Sequence, residues 1–467
     1  MLFNSLSFLV FLGFVFLVYW QLNQRHKLQN FFVLAVSYFF YGCWDWRFLI
    51  LIAASSATDF LIGFSLEKEQ QQGRRKVLLS ISLLANLGLL GVFKYFNFFI
   101  DSAQIILTSF GVSTSWHSLS IILPVGISFY TFQTLSYTID VYRGKIKSTK
   151  NWLEFFAFVS FFPQLVAGPI ERAAHLLPQF QKPRAFHAHN AVKGVRLILW
   201  GLFKKMVIAD RLASVVDVLF ADPTICNSWM ALLAGTLFAY QVYCDFSGYS
   251  DIAIGSARLL GFNLMRNFKT PFLSKSMTEF WQRWHISLSS WFRDYLYIPL
   301  GGNRVSPLKW TLIILLTFTV SGLWHGADQH YVIWGFVCAI PLVIERLFKI
   351  KRIGILPTFF LFSLTLIFFR SSGLSNAAVM FERALAFDFQ LPTTLSNSFP
   401  NAYDLGYTAF FLGVLILTEA ILGQTDFDEA LSKLKSPARW AIYYGLLTVI
   451  LLFGVMSNAP QFIYFQF

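Results

Sequence analysis

Residues 280–304 read Phe280-Trp-Gln-Arg-Trp-His-Ile-Ser-Leu-Ser-Ser-Trp-Phe-Arg-Asp-Tyr-Leu-Tyr-Ile-Pro-Leu-Gly-Gly-Asn-Arg304. Tryptophan, tyrosine and arginine crowd this stretch, as they do at a membrane–water boundary. The apolar segment that follows, 311–325, runs into Gly322-Leu-Trp-His-Gly-Ala327. An imidazole at the end of an apolar helix is costly to hold there and marks a functional site by default. A boundary segment feeding an apolar span sets the class, a helical protein of the bilayer.

Composition agrees. Of 467 residues, 56% are hydrophobic, 18% aromatic and 13% charged, whereas soluble domains carry about 25% charged residues. Apolar segments fall at 5–20, 31–42, 48–64, 77–99, 119–139, 152–167, 197–219, 229–243, 311–325, 331–345, 355–369, 405–422 and 440–457. Several are shorter than the ~20 residues a perpendicular span needs, so some are expected to be re-entrant or broken. Segment 119–139 is interrupted by Pro124 and Gly126, and 152–167 runs into Phe161-Phe-Pro-Gln-Leu-Val-Ala-Gly-Pro-Ile170. Irregular backbone at membrane depth survives only where protein or a wet cavity satisfies it, so both stretches are expected to line the functional cavity. The fold class is all-α, polytopic and integral to the membrane. Without an internal repeat or a soluble linker, the chain reads as one domain over 1–467.

The net charge of +13 comes from basic residues in short segments between apolar spans. That pattern fits cytoplasmic loops against anionic lipid, not nucleic acid. By the positive-inside rule, loops 67–76, 142–150, 346–352 and 424–439 are cytoplasmic. Loops 99–118 and 371–404 and the C-terminus are then external. Leu6 to Trp20, followed by Arg25 and Lys27, reads as a retained first helix with its N-terminus outside. Cys43, Cys226, Cys244 and Cys338 show no CxxC spacing and read as apolar packing residues.

His325 is the first candidate for chemistry. General acid–base chemistry needs a positioned group that exchanges a proton, and imidazole has the pKa for that at neutral pH. The alternative is a ring satisfied by a helix–helix hydrogen bond. His285, within Trp284-His-Ile-Ser287, is the second, set against an interfacial histidine among aromatics. Arg283, Arg293 and Arg304 suit an anionic ligand, which under the resemblance given below is the acyl donor, with attraction to lipid headgroups as the equal alternative. Asp245 and Asp251, within Tyr243-Cys-Asp-Phe-Ser-Gly-Tyr-Ser-Asp251, lack further cation ligands at loop spacing. No metal site is expected, and Asp245 reads as a structural partner, for instance of an arginine or a helix N-terminus. His325 and His330 stand five apart with no glutamate between them, which excludes a zincin helix.

The 280–304 stretch, Gly322–Ala327 and the spacing from His285 to His325 resemble the membrane-bound O-acyltransferase family. Within it they resemble the branch that passes acetyl groups to exported bacterial polysaccharides, and the likeness covers most of the chain. The resemblance implies about 11 spans plus re-entrant helices around a central cavity. It also implies catalytic roles for His325 and His285, and an amide side chain assisting the histidine. Asn263, Asn267, Asn303 and Gln164 compete for that place. The terminal Phe462-Ile-Tyr-Phe-Gln-Phe467 resembles the C-terminal motif of the small partner peptide in bacterial D-alanyl transfer to teichoic acid. That likeness implies Tyr464 as an acyl relay, where physics alone gives an interfacial anchor.

The implied reaction takes acetyl from a cytoplasmic thioester, acetyl-CoA or another acyl thioester, and needs no further cofactor. It crosses the bacterial inner membrane toward an alginate-like polysaccharide, with a periplasmic SGNH-type acetyltransferase as partner. Peptidoglycan, cellulose or another cell-surface glycan is the alternative acceptor. A transporter without acyl chemistry is the rival from another class, and the inverted repeats common in transporters are not visible.

Overall fold

The computed structural model describes residues 1–114, 116, 118, 119, 121–166, 168–389, 402–456 and 460–465. Outside the described residues lie Ala167 of the Phe161–Ile170 run, 390–401 of the expected external loop, and Gln466 and Phe467 of the terminal hexapeptide. The architecture is all-helical, with no strand among the described residues. Among the described residues, five helices are long and apolar enough to cross a membrane, or six if one bent pair counts as a single span. Leu6–Gln21 and Ile355–Arg370, apolar and 16 residues each, are short for a perpendicular crossing.

The chain packs as two compact units, Met1–Ala191 with Ser256–Met265, and Val192–Gly255 with Arg266–Phe467. In the first, helices Leu49–Lys68, Gln72–Leu90 and Ile127–Tyr142 bury Asp59 between them. Its carboxylate accepts from Ser82 Oγ at 2.5 Å, Asn86 Nδ2 at 2.7 Å and Thr138 Oγ1 at 2.9 Å. A carboxylate taken out of water needs such a set of donors. The two irregular stretches meet in this same unit. Gly126 adopts φ +76° to start the Ile127–Tyr142 helix, and a Cβ there would lie 2.7 Å from the Leu165 carbonyl oxygen. Glycine alone satisfies both conditions. Beyond it, the rings of Phe161, Phe180 and Phe262 pack with centroids 4.6 to 5.5 Å apart. Protein groups pair with the irregular backbone: the Tyr41 hydroxyl donates to the Val125 carbonyl at 2.9 Å, and the Phe162 N–H donates to Ser37 Oγ at 3.1 Å. Neither stretch is among the residues that line the cavity described below.

In the second unit, helices Pro307–His325 and Gln329–Leu347 form a tight hairpin. A Cβ on Gly322 would lie 2.2 Å from the Tyr331 carbonyl oxygen, and one on Gly335 2.3 Å from that of Phe318. Small residues are what let two helix backbones approach this closely. The Tyr243–Asp251 motif is not a loop; it lies inside the 32-residue helix Ser228–Leu259. That helix crosses Ala188–Leu202 and its π-helical continuation Phe203–Ala209 at a second glycine contact, where a Cβ on Gly248 would lie 2.8 Å from the Gly201 carbonyl oxygen. The adjacent lysines then diverge. Lys204 Nζ pairs with Asp251 at 2.8 Å, and Lys205 Nζ with Asp245 at 2.6 Å. The charged partner of Asp245 is therefore a lysine, not an arginine.

Candidate active site

His325 is the last residue of its helix and 4% exposed. The Gly326 that follows has no room for a side chain, since a Cβ would lie 2.1 Å from the Tyr331 ring. Three residues, Gly326 to Asp328, make the turn, and the imidazole sits among aromatic rings. Trp324 and Trp334 lie 5.1 Å from it and Phe369 5.5 Å.

His285 is held differently. It joins helices Met277–Arg283 and Ile286–Phe292 at φ +42°, and is 2% exposed. Few non-glycine residues occupy this region, at a cost on the order of 1–3 kcal/mol. Backbone pairing holds the turn in place. Lys269 N–H donates to the Arg283 carbonyl at 3.0 Å, and Ile286 N–H to that of Asn267 at 2.9 Å. The buried Asn267 side chain donates to Ser250 Oγ at 3.0 Å and accepts from Ser287 Oγ at 2.6 Å. Neither ring nitrogen of His285 has a hydrogen-bond partner among the described residues. Buried polar atoms in that condition ask for an explanation, such as a ligand.

The fold brings three candidates together. Ring centroids lie 6.0 Å apart for His285 and His325, 5.6 Å for His325 and Tyr464, and 6.2 Å for His285 and Tyr464. Phe246 packs against both His285 and Tyr464, at 4.6 and 4.7 Å. Both histidines line a cavity of about 510 Å³. It extends along the hairpin to Arg346, about 25 Å away by helix rise. There the Arg346 guanidinium sits 4.0 Å over the Trp310 ring and donates to Asn303 Oδ1 at 2.8 Å. Trp310 Nε1 donates to the Tyr297 hydroxyl at 2.8 Å, which donates to the same Asn303 oxygen at 2.6 Å.

Of the three arginines singled out in the sequence, Arg293 lines the cavity, paired with Asp294 at 2.8 Å. Arg283 forms an ion pair with Glu279 and Arg304 is exposed; neither is among the lining residues. Arg346 was passed over because its sequence context, a basic loop, signals only topology. Among the amides, Asn303 stands at the far end of the cavity and Asn267 under the His285 turn, whereas Asn263 and Gln164 belong to the first unit. No group of three His, Cys, Asp or Glu among the described residues could hold a metal ion.

A helical membrane protein with two buried imidazoles lining a cavity and a phenol packed against both has the groups that acyl transfer requires. Residues 145–350 match the family model described as MBOAT, membrane-bound O-acyltransferase family. The chain is 40% identical over 445 residues to the probable alginate O-acetylase AlgI of Pseudomonas putida, covering 91% of this chain and 88% of that one. It is 39% identical to the protein of the same description from Pseudomonas aeruginosa, covering 94% and 84%. It is 33% identical to the peptidoglycan O-acetyltransferase of Helicobacter pylori, covering 81% and 78%. The chain belongs to the membrane-bound O-acyltransferase family and is an acyltransferase.

Proposed function

We propose that this enzyme passes acetyl from a cytoplasmic thioester to an exported, alginate-like polysaccharide across a bacterial inner membrane. The observation that carries the reading is the mutual approach of His285, His325 and Tyr464, the two histidines lining the cavity. The donor, acetyl-CoA or another acyl thioester, lies along the cavity with its anionic carrier groups at Arg293 and Arg346. His325 takes the Tyr464 phenolic proton as the oxygen attacks the thioester carbonyl. The new C–O bond forms, the C–S bond breaks, and the thiol leaves with the proton. His285 donates its ring N–H to the carbonyl oxygen as negative charge develops there. A hydroxyl on the outer side then takes the acetyl and regenerates the phenol. That hydroxyl belongs to the polysaccharide or to a periplasmic SGNH-type acetyltransferase. The names of the relatives, alginate O-acetylase and peptidoglycan O-acetyltransferase, support a glycan as the final acceptor.

The test is acetyl-labelled coenzyme A given to the purified full chain in vesicles, followed by location of label on the protein. Wild type is expected to trap acetyl on Tyr464, and Tyr464→Phe to trap none and to lose glycan acetylation in cells by 10²-fold or more. Full glycan acetylation by Tyr464→Phe discards the relay.

A further inference from the structure

The second unit buries a cluster of charge that the scheme above does not use: Lys205, Asp210 and Asp245. Lys205 Nζ lies 2.6 Å from each carboxylate. Replacing such a cluster with well-packed apolar residues is often neutral or stabilising, so stability alone is a weak account of it. Two of the three residues reach the C-terminal segment. Asp245 Oδ2 accepts the Ile463 backbone N–H at 2.8 Å, and Lys205 Nζ donates to the Pro460 carbonyl at 3.3 Å. Asp210 makes no hydrogen bond to that segment among the described residues.

Lys205 sits in the π-helical stretch Phe203–Ala209, a geometry found mostly as single turns, frequently at functional sites. From the same stretch the Met206 carbonyl accepts the Val455 N–H at 3.0 Å, so it grips the chain at Val455 and again at Pro460. Between the two gripped residues, Pro460 and Ile463, the buried Phe462 ring stacks on Tyr249 at 4.3 Å. Tyr464 follows two residues later, against both histidines.

We propose that Lys205 and Asp245 form a clamp that seats the segment Pro460–Phe465 and so presents Tyr464 to His285 and His325. Both are positioning residues, acting through the segment without touching substrate. The inference rests on the reading of Tyr464 as the relay. The register of a short segment is weakly specified by apolar contact alone, and two hydrogen bonds to fixed charges supply it. The charge on each partner makes those bonds stronger than neutral ones.

Asp210→Ala and Asp245→Ala are matched variants, since each leaves Lys205 with one carboxylate. Hydrogen exchange at the Ile463 amide and transfer kinetics are measured on the detergent-solubilised full chain. Asp245→Ala is expected to speed that exchange and to lower kcat by about 10- to 100-fold at unchanged donor KM. Asp210→Ala is expected to change neither. Asp245→Asn keeps an oxygen for Ile463 and is expected to recover part of both. Equal exchange and equal kcat in the two alanine variants overturn the clamp. Full activity of Tyr464→Phe instead overturns the relay, and the exchange comparison then still decides whether Asp245 seats the segment.

Discussion

His285 and His325 are both buried imidazoles of one site, yet the protein holds them in opposite ways. His325 rides on the end of a regular helix, and its position is set by what is missing around it. Gly322, Gly326 and Gly335 leave room for the hairpin to close, to within 2.1 to 2.3 Å of where a Cβ would sit. His285 sits on strained backbone at φ +42°, kept there by two backbone hydrogen bonds and by Asn267. The first arrangement fails by overpacking and the second by relaxation. Neighbouring residues of one constellation therefore respond to different kinds of substitution.

The largest effect tests whether the two rings have different tasks. His325→Ala removes the proposed base and is expected to lower acetyl transfer by 10²–10⁴-fold in a folded, inserted protein. His285→Ala removes a donor to the carbonyl oxygen and is expected to cost about 10²–10³-fold, mainly in kcat. Near-normal transfer by His325→Ala at equal protein levels would end its assignment as base. An intermediate effect is expected at the hairpin. Gly326→Ala sets a methyl against the Tyr331 ring, which at typical overpacking costs of about 1–3 kcal/mol lowers the thermal unfolding midpoint. An unchanged midpoint would show that the turn has slack and that glycine is not what positions His325. The smallest effect is expected beneath the other ring. Asn267→Ala gives up the bonds to Ser250 and Ser287, each about 1 kcal/mol of stability. Because the lost bonds pin the strained turn, kcat is expected to fall further than stability does. Parallel losses in melting and kinetics would show that Asn267 is ordinary core.

What sequence could and could not announce follows from range. The scarcity of charge and the recurring apolar runs define a helical membrane protein with no knowledge of packing, because lipid selects composition directly. Rare polar residues in such surroundings stand out, which is why His285, His325 and Arg293 were visible. At the stretches around Gly126 and Phe161–Ile170 composition is ambiguous, because irregular backbone can be satisfied by protein or by a cavity. Arg346 was hidden because one turn of basic residues looks the same whether it faces lipid or Trp310.

The sequence by itself determined the class of the molecule, the family motif and the residue types available for acyl transfer. Only the tertiary structure decided that Tyr464 meets both histidines, that Arg346 shares their cavity, and that Asp245 holds the Ile463 backbone. These pairings join elements far apart in the chain, through glycine-limited helix crossings and single hydrogen bonds. Their partners are chosen by register between helices, and register is a property of packed surfaces, which local pattern does not carry.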